Sequence, residues 1–389
     1  MSHLRVMCHV QHLMGSGHQW RVAAITRALC QLGADVAYVS GGFPVPGLDV
    51  GCARFVQLPP ARSPDMQYKT LVNDSGLPVD DKWKAQRRDL LLDVFRQYQP
   101  DVLFVEAFPF GRRLLRFELL PLLEAAQARR PSPSVVCSVR DILEQRNRPG
   151  RNEEIVRLVD HYFDLVLVHS DPKLIPFEST FPLAERIRNK LQYTGYVLSR
   201  DPIFGDSKAG AGEVVVSAGG GAFGEHVLRA ALAARPLSAL ADATWHVLVG
   251  PNLPEHRFID LRSQTEDGLI IERNRSDFPV LLRNCAVSIS QAGYNTILEV
   301  LQAGTRAVLV PYTDEREKEQ AVRARQLRDR GLVETIENSE LTPQRLAQAV
   351  DAVYRRPLPN RKSINLDGAA SSADVIASMT SNKYVAQRL

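Results

Sequence analysis

Short apolar runs recur along the chain, each followed by a stretch with helical apolar spacing, and this alternation constrains the fold more than any other feature. The runs are rich in Val and Leu and lack polar alternation, as expected for strands buried on both faces of a parallel sheet. Strands that alternate with helices predict a doubly wound α/β architecture. The predicted strands are residues 4–10, 36–39, 102–105, 135–138, 165–168, 214–217, 245–249, 269–271, 287–290 and 307–310.

The alternation breaks once, at residues 197–212, where Pro, Gly, Ser and charged residues predict a linker. A chain of 389 residues is also too long for one ordinary core. We therefore predict an amino-terminal domain over residues 1–196 and a second α/β domain over residues 213–365. Because ligands of open α/β sheets bind beyond the carboxyl ends of the strands, we expect a ligand cleft between the domains.

Composition narrows the classes of function and the location. The formal net charge of +4 argues against a nucleic-acid partner, which usually meets a concentrated basic face. The five cysteines occur singly, which predicts free thiols in a reducing compartment. The amino terminus shows no secretory pattern, and no run of about 18 apolar residues occurs. These features predict a cytoplasmic protein and leave open a peripheral contact with the inner face of a membrane.

The first chemical constellation is SISQAGYNTILE, which ends at Glu299. The pattern predicts a strand, a loop, and a helix that begins near Asn295 or Thr296 and stops at Gly304. Glu299 is the only charge between residues 285 and 304. A ribose diol would pair with this carboxylate, and the helix start would suit a diphosphate. The alternative is a carboxylate that only reaches water at the helix surface.

A glycine-rich loop, SAGGGAFG, follows the strand predicted at residues 214–217. Glycines let a backbone approach a phosphate closely, so Gly219, Gly220 and Gly221 are candidate diphosphate contacts. Tight packing of the strand against the next helix is the alternative explanation for these glycines. The loop lacks the lysine of a P-loop ATPase.

A second loop of this kind, MGSGH, separates the first strand from the first helix and ends at His18. A neutral imidazole there could take a proton from an acceptor hydroxyl as a general base. The alternative is a histidine that caps or packs the helix start, and His9 and His12 lie near enough to share the role. The acceptor-loop residues are Gly15, Ser16 and Gly17.

A charged group, Glu106, closes the strand predicted at residues 102–105, and Arg112 and Arg113 follow it. A carboxylate behind a histidine raises its basicity, so we expect Glu106 to form the catalytic pair with His18. The two arginines could meet an acidic or phosphorylated acceptor, or could be solvated charges of a loop.

The segment SQAGYNTILEVLQAGTRAVLVPYTDEREKEQAVRARQLRDRGL, residues 290–332, resembles the donor-binding half of family 28 glycosyltransferases. The resemblance implies the two-domain GT-B fold, with residues 366–389 as a last helix that packs back on the amino-terminal domain. It also implies that Glu299 binds ribose and Gln320 the donor sugar. The family often has Asn where this chain has Arg323, so the sugar is left open. The donor-binding residues expected overall are Gly219, Gly220, Gly221, Arg273, Asn274, Gln291, Ala292, Gly293, Asn295, Thr296, Glu299 and Gln320.

These observations predict transfer of a sugar from a nucleotide diphosphate, most simply UDP, to an acceptor hydroxyl. The acceptor is left open among small molecules, lipid-linked precursors and polysaccharide precursors. No cofactor is expected, and no metal-binding motif is apparent, so helix ends and glycine N–H groups are expected to stabilise the leaving diphosphate. The alternatives are a nucleotide-sugar hydrolase or 2-epimerase of the same fold, and a regulator that binds a nucleotide sugar without catalysis.

Overall fold

The computed structural model divides the chain into two compact units. The first is Met1–Arg200 with Asn365–Leu389, and the second is Asp201–Ile364. Of the predicted linker, residues 199–206 lie outside the described residues, while 207–212 go with the second unit. The residues that the structure describes are 4–65, 68–143, 149–198, 207–218, 224–313, 318–360 and 364–386.

The first unit is built on a seven-stranded sheet in which all neighbours are parallel. Its strands are β1 (Arg5–Val10), β2 (Asp35–Ser40), β3 (Arg54–Gln57), β4 (Val102–Glu106), β5 (Ser134–Arg140), β6 (Leu165–His169) and β7 (Leu191–Tyr193). Its first four helices are α1 (Gly17–Gln31), α2 (Asp81–Tyr98), α3 (Arg116–Ala128) and α4 (Arg151–Tyr162). The strand order β3-β2-β1-β4-β5-β6-β7 reverses direction between β1 and β4, which makes that point the expected ligand edge.

The second unit holds a six-stranded parallel sheet in the order β10-β9-β8-β11-β12-β13. Its strands are β8 (Val214–Ser217), β9 (Trp245–Val249), β10 (Leu269–Arg273), β11 (Val287–Gln291), β12 (Ala307–Val310) and β13 (Glu334–Thr335). Its helices are α5 (Glu225–Ala234), α6 (Glu255–Arg262), α7 (Phe278–Asn284), α8 (Tyr294–Ala303), α9 (Glu319–Asp329) and α10 (Pro343–Tyr354). Here the order reverses between β8 and β11.

The chain then re-enters the first unit and ends its described part in α11 (Gly368–Ala386). Tyr196 donates its N–H to the carbonyl of Asn365 at 2.8 Å and accepts from Gly368 N–H at 3.0 Å. Ala373 and Ile376 of α11 are buried in the cluster that covers one face of the sheet, together with residues of α1. The last helix therefore completes the core of the first unit.

All ten predicted strands are confirmed, while the edge strands β3, β7 and β13 were missed. The reason is exposure: an edge strand packs less apolar surface, and the side chains of β3 are half-buried to exposed. The predicted start of α8 at Asn295 or Thr296 was wrong by one or two residues. The helix begins at Tyr294, and Gly293 precedes it without a side-chain cap. Its predicted end is confirmed, since Gly304 has a φ of 62°.

One buried ion pair joins helices α2 and α3 of the first unit. Arg87 of α2 donates from Nε to Glu118 Oε2 at 2.6 Å and from Nη2 to Oε1 at 2.9 Å, and both side chains are fully buried. The same guanidinium donates to the carbonyls of Gly41 and Pro59 and to Gln11 Oε1. A buried pair of this kind costs much more to break than it contributes to stability.

We predict that Arg87→Met lowers the free energy of unfolding by about 3–5 kcal/mol, because it leaves the Glu118 carboxylate buried without its partner. The double variant Arg87→Met/Glu118→Leu should be more stable than Arg87→Met alone. Urea unfolding of the three proteins tests this, with Arg96→Met as control, because Arg96 forms an exposed pair with Asp93 on the same helix. A double variant that is no more stable than Arg87→Met would contradict the assignment.

Candidate functional site

The order reversal in the first sheet brings the end of β1 beside the end of β4, with His9 opposite Val105. The chain leaves β1 through residues 11–16 and enters α1 at Gly17, so that His18 is the second helical residue. The carbonyl of Ser16 accepts the first two N–H bonds of this turn. The predicted acceptor loop thus lies at the expected ligand edge of its sheet.

At this edge the carboxylate of Glu106 is buried, and one imidazole and two guanidinium groups lie close to it. His18 Nδ1 lies 2.5 Å from Oε1, which brings together the two residues predicted as a pair. Arg21 donates to the same oxygen at 2.5 Å. Arg112 reaches the other oxygen, with its Nη2 at 3.5 Å from Oε2. One carboxylate therefore serves an imidazole and two guanidiniums.

The loop that carries Arg112 is held in an unusual backbone conformation. Ala107 and Arg112 have φ values of 63° and 57°, a left-handed region that costs a residue with a side chain about 1–3 kcal/mol. Arg112 also donates from Nε to the carbonyl of Gln11 at 2.6 Å. The strained turn therefore folds the arginine back over the end of β1 and onto Glu106.

Burial and the neighbouring charged side chains together set the protonation state of His18. Burial, and then Arg112, lower the pKa of His18 from 6.5 to about 3, although Glu106 acts in the opposite direction. His18, Arg112 and Arg21 hold the pKa of Glu106 well below its usual range despite its burial. An ionised carboxylate only accepts hydrogen bonds, so the proton at the short contact belongs to Nδ1. The imidazole is neutral, with its Nε2 lone pair available.

The expectation that Glu106 makes His18 more basic is confirmed for the carboxylate itself, which raises the pKa of His18. Burial and Arg112 lower that pKa by more, so the net shift is downward. Sequence reasoning did not find Arg21 as a partner. The available signal was its position three residues after His18, which puts both side chains on one face of α1.

The other histidines near this edge have structural partners. His12 is buried and its Nδ1 lies 3.2 Å from Gln19 Nε2. His9 lies within β1, with Nε2 at 3.5 Å from Glu118 Oε1. His169 is fully buried between the hydroxyls of Ser138 and Thr194. Of the histidines considered at this edge, only His18 keeps a partly exposed ring, with 23% of its side chain accessible.

In the second unit the corresponding edge lies where β8 and β11 pair in parallel. The predicted glycines Gly219, Gly220 and Gly221 lie outside the described residues. Gly224, at the end of that loop, has a packing reason, because a Cβ there would collide with Ala218. The alternative explanation by tight packing therefore holds for this glycine.

The turn between β11 and α8 holds most of the other predicted residues. Gln291 and Ala292 are buried, and Gly293 precedes the helix with an ordinary φ of −64°. A Cβ on Gly293 would meet nothing closer than the Thr296 hydroxyl at 3.9 Å. Neither backbone conformation nor packing against the described residues explains this glycine. Asn295 and Glu299 are four residues apart, so they share one face of α8, and both are half-buried.

The next βα junction lies against the start of α8. Arg323 of α9 is buried, donates to Glu319 at 2.7 Å, and stacks over the ring of Tyr294 at 5.0 Å. Gln320, the predicted sugar contact, accepts from the N–H of Tyr312 at 3.1 Å. The junction that leads into α8, with Glu299, and the junction that leads into α9, with Gln320, are thus brought together within this unit.

The remaining predicted donor residues follow β10 on the same edge. Arg273 donates to the carbonyls of Gly250 and Leu253 at 2.9 and 3.1 Å and to Glu255 at 2.5 Å. Its guanidinium thereby closes the loop after β9. The N–H of Asn274 donates to the carbonyl of Val249 at 3.1 Å, so its backbone extends the hydrogen bonding between β9 and β10. A contact of either residue with a nucleotide base stays a prediction.

Comparison with known proteins finds a family match for the second half of the chain and a fold match for all of it. The model of the glycosyltransferase family 28 C-terminal domain matches residues 214–378. The solved structure of CalG4, the calicheamicin glycosyltransferase, superposes with a TM-score of 0.62 at 17% identity, over 99% of this chain and 98% of that one. Residues 214–378 are thus similar to the C-terminal domain of family 28 glycosyltransferases, and the chain as a whole has the GT-B fold. The predicted resemblance to family 28 and the predicted fold class are therefore confirmed.

Curated relatives of this chain align with it over part of their length. An uncharacterized glycosyltransferase of Methanopyrus kandleri is 24% identical over 246 residues, 59% of this chain and 66% of that protein. The UDP-N-acetylglucosamine--N-acetylmuramyl-(pentapeptide) pyrophosphoryl-undecaprenol N-acetylglucosamine transferase of Brucella anthropi is 33% identical over 82 residues, 21% of this chain and 22% of that protein. The alignments thus span just under two thirds and about a fifth of these relatives.

Across the described ranges, none of the helices of this protein has the length and apolar character needed to cross a bilayer.

We predict that this protein loses stability when the pH falls from 6 to 5. Burial is the main cause that lowers the pKa of His12 to about 4 and of His169 to about 3, as it does for His18. Between these values and 6.5 the unfolded chain binds more protons than the folded one, so stability falls with falling pH. Three such groups lower the free energy of unfolding by about 3 kcal/mol over that interval.

Urea unfolding at pH 7, 6 and 5 measures this effect. In His169→Gln, which keeps a donor and an acceptor between Ser138 and Thr194, about a third of the fall should disappear. A free energy of unfolding of the first unit that stays constant from pH 7 to 5 would contradict the prediction.

Proposed function

We propose that this glycosyltransferase moves a sugar from a UDP-sugar to an acceptor hydroxyl, without a metal held by the protein, with His18 as the general base. The observation that carries the proposal is the 2.5 Å contact of Glu106 with His18 Nδ1, because it leaves Nε2 as the proton acceptor. A ring that is neutral and partly exposed at the ligand edge of its sheet suits this role.

The proposed step moves one proton to His18 and one sugar to the acceptor. The acceptor hydroxyl gives its proton to His18 Nε2 while its oxygen forms a bond to the anomeric carbon of the donor. The bond from that carbon to the diphosphate breaks, and the nucleotide diphosphate leaves with the electron pair. Glu106 stabilises the imidazolium that forms, and it acts through His18 without touching the substrate.

Donor binding is assigned to the second unit. The start of α8 offers backbone N–H groups and the positive end of a helix dipole to the diphosphate. Gly293 supports this assignment, because nothing within the described part of the chain requires a glycine there. Glu299, one turn further along the helix, would accept two hydrogen bonds from the ribose. UDP is proposed because it appears in the name of the Brucella anthropi relative.

We expect Glu299→Ala to weaken binding of UDP by about 10- to 100-fold, because hydrogen bonds to a charged group contribute about 1.5–3 kcal/mol. Isothermal titration with UDP measures this, and Glu340→Ala is the control, because that exposed carboxylate pairs with Arg345 elsewhere in the same unit. UDP binding as tight as that of the parent protein would remove Glu299 from the ribose site.

Gly293→Ala separates a ligand contact from packing. The variant should keep the melting temperature of the parent, since the added Cβ has room, yet bind UDP at least about tenfold more weakly if a phosphate approaches the backbone there. Gly224→Ala is the contrasting variant, because its Cβ collides with Ala218 and should lower the melting temperature. Unchanged UDP affinity in Gly293→Ala would contradict the diphosphate assignment.

His18→Ala should lower kcat by about 10²–10⁴-fold with little change in donor affinity, because it removes the base and leaves the second unit intact. Glu106→Gln should cause a smaller loss, on the order of 10–100-fold, since the ring remains without its charged partner. His161→Ala, an exposed histidine of the same unit, is the control. Parental turnover in a His18→Ala protein that still binds the donor would disprove the mechanism.

A panel of nucleotide sugars separates the competing functions. Thermal shifts with UDP-, GDP-, dTDP- and ADP-sugars identify the donor, because a ligand that binds the folded state raises its melting temperature. Free sugar released at full rate without an acceptor would indicate a hydrolase, and an altered sugar stereocentre an epimerase. Binding without turnover in the presence of any acceptor class would indicate a regulator.

The acceptor and the location stay open proposals with a direct test. The Brucella anthropi relative is named for an undecaprenol-linked acceptor, which favours trying lipid-linked precursors beside small molecules and polysaccharide precursors. A lipid-linked acceptor would bring this protein to the inner face of a membrane as a peripheral protein of the cytoplasm. Co-sedimentation with vesicles that contain the lipid acceptor, against vesicles without it, measures that contact.

A further inference from the structure

The cationic partners of Glu106 exceed what one carboxylate needs. Charge balance is reached with Arg21, whose Nη2 lies 2.5 Å from Oε1. Arg112 adds a second guanidinium at 3.5 Å from Oε2, and no described residue accepts a hydrogen bond from its Nη2. A buried surplus charge is costly, so its position calls for an explanation. The imidazole of His18 shares the Glu106 carboxylate with this surplus charge.

We propose that Arg112 is a positioning residue that keeps His18 in its neutral, Nδ1–H form. The inference deepens the proposed function and rests on His18 as the base. Glu106 alone would favour an imidazolium, because an adjacent carboxylate stabilises the charged ring. With Arg21 and Arg112 on the same carboxylate, the cluster is already positive by one charge before the ring takes a proton. A second proton on His18 is therefore disfavoured, and Nε2 stays free for the acceptor hydroxyl.

The backbone supports this assignment independently of charge. Arg112 has a φ of 57° in a left-handed conformation, and its Nε is anchored on the carbonyl of Gln11 at 2.6 Å. These features hold the guanidinium against Glu106, whereas the neighbouring Arg113 is exposed and pairs with Glu154. Titratable and charged groups from several other elements interact electrostatically with this cluster. Together with Glu106, Arg21 and Arg112 themselves, they are Arg140, His12, His169, Tyr38, Tyr68 and Cys137.

The first test reads the ring directly. The ¹³Cε1 signal of His18, assigned by its loss in His18→Ala, is followed from pH 8 to 5 in the parent protein, in Arg112→Gln and in Arg112→Lys. The parent ring should stay neutral throughout. In Arg112→Gln the ratio of protonated to neutral ring at pH 5 should rise about tenfold or more, which corresponds to about one pH unit. Arg112→Lys should restore the parent ratio.

The control is Arg116→Gln, which removes the same charge from a residue that pairs with Glu154 away from the ring. Melting temperatures of all variants show whether Arg112→Gln is folded. If that variant does not fold, the parent alone still tests the inference, since a parent ring that titrates between pH 8 and 5 overturns it. An equal ratio of protonated to neutral ring in Arg112→Gln and the parent also overturns it.

The second measurement separates this inference from the proposed function. If His18 is the base, the acid limb of the pH profile of kcat/KM moves upward in Arg112→Gln by the same amount as the ring titration. A shifted ring titration with an unmoved pH profile would support Arg112 as a positioning residue for the imidazole and contradict His18 as the base.

Discussion

The buried carboxylate of Glu106 is the charge on which the end of the first sheet depends. Being inside the protein and ionised, it requires partners, and it draws them from three places: His18 and Arg21 from α1, and Arg112 from the strained turn after β4. The same turn reaches Gln11, and Gln11 in turn contacts the buried pair of Arg87 and Glu118. One chain of polar contacts thus joins the ligand edge to the core beneath it.

The second unit also has a parallel sheet whose strand order reverses once, but the edge at that point is built from different residues. Its edge carries few charges near β11 and depends on small residues and a helix start. Gly224 is required by close packing against Ala218, while Gly293 is free of any such requirement within the described part of the chain. Two glycines at the same edge can therefore occur for different reasons: one is required by packing, and the other is not. Only the structure separates them, because both stand in similar βα turns of the sequence.

Much of the fold could be predicted because central strands bury both faces and therefore appear as apolar runs. The edge strands β3, β7 and β13 could not, since their exposed side chains carry no such pattern. The pairing of His18 with Glu106 followed from placing both at strand ends. The net protonation of His18 did not, because it depends on guanidiniums that meet Glu106 from different parts of the chain, and sequence spacing does not report these distances.

The return of α11 to the first unit has a consequence for how the protein is made. The second unit is one continuous stretch of chain, so its core is complete when residue 364 has been synthesised. The core of the first unit is still incomplete at that point, because Ala373 and Ile376 of α11 pack against the apolar face of α1. On the ribosome the second unit can therefore close its core first, although most of the first unit emerges earlier, and a chain cut short before α11 would leave apolar surface of the first unit uncovered.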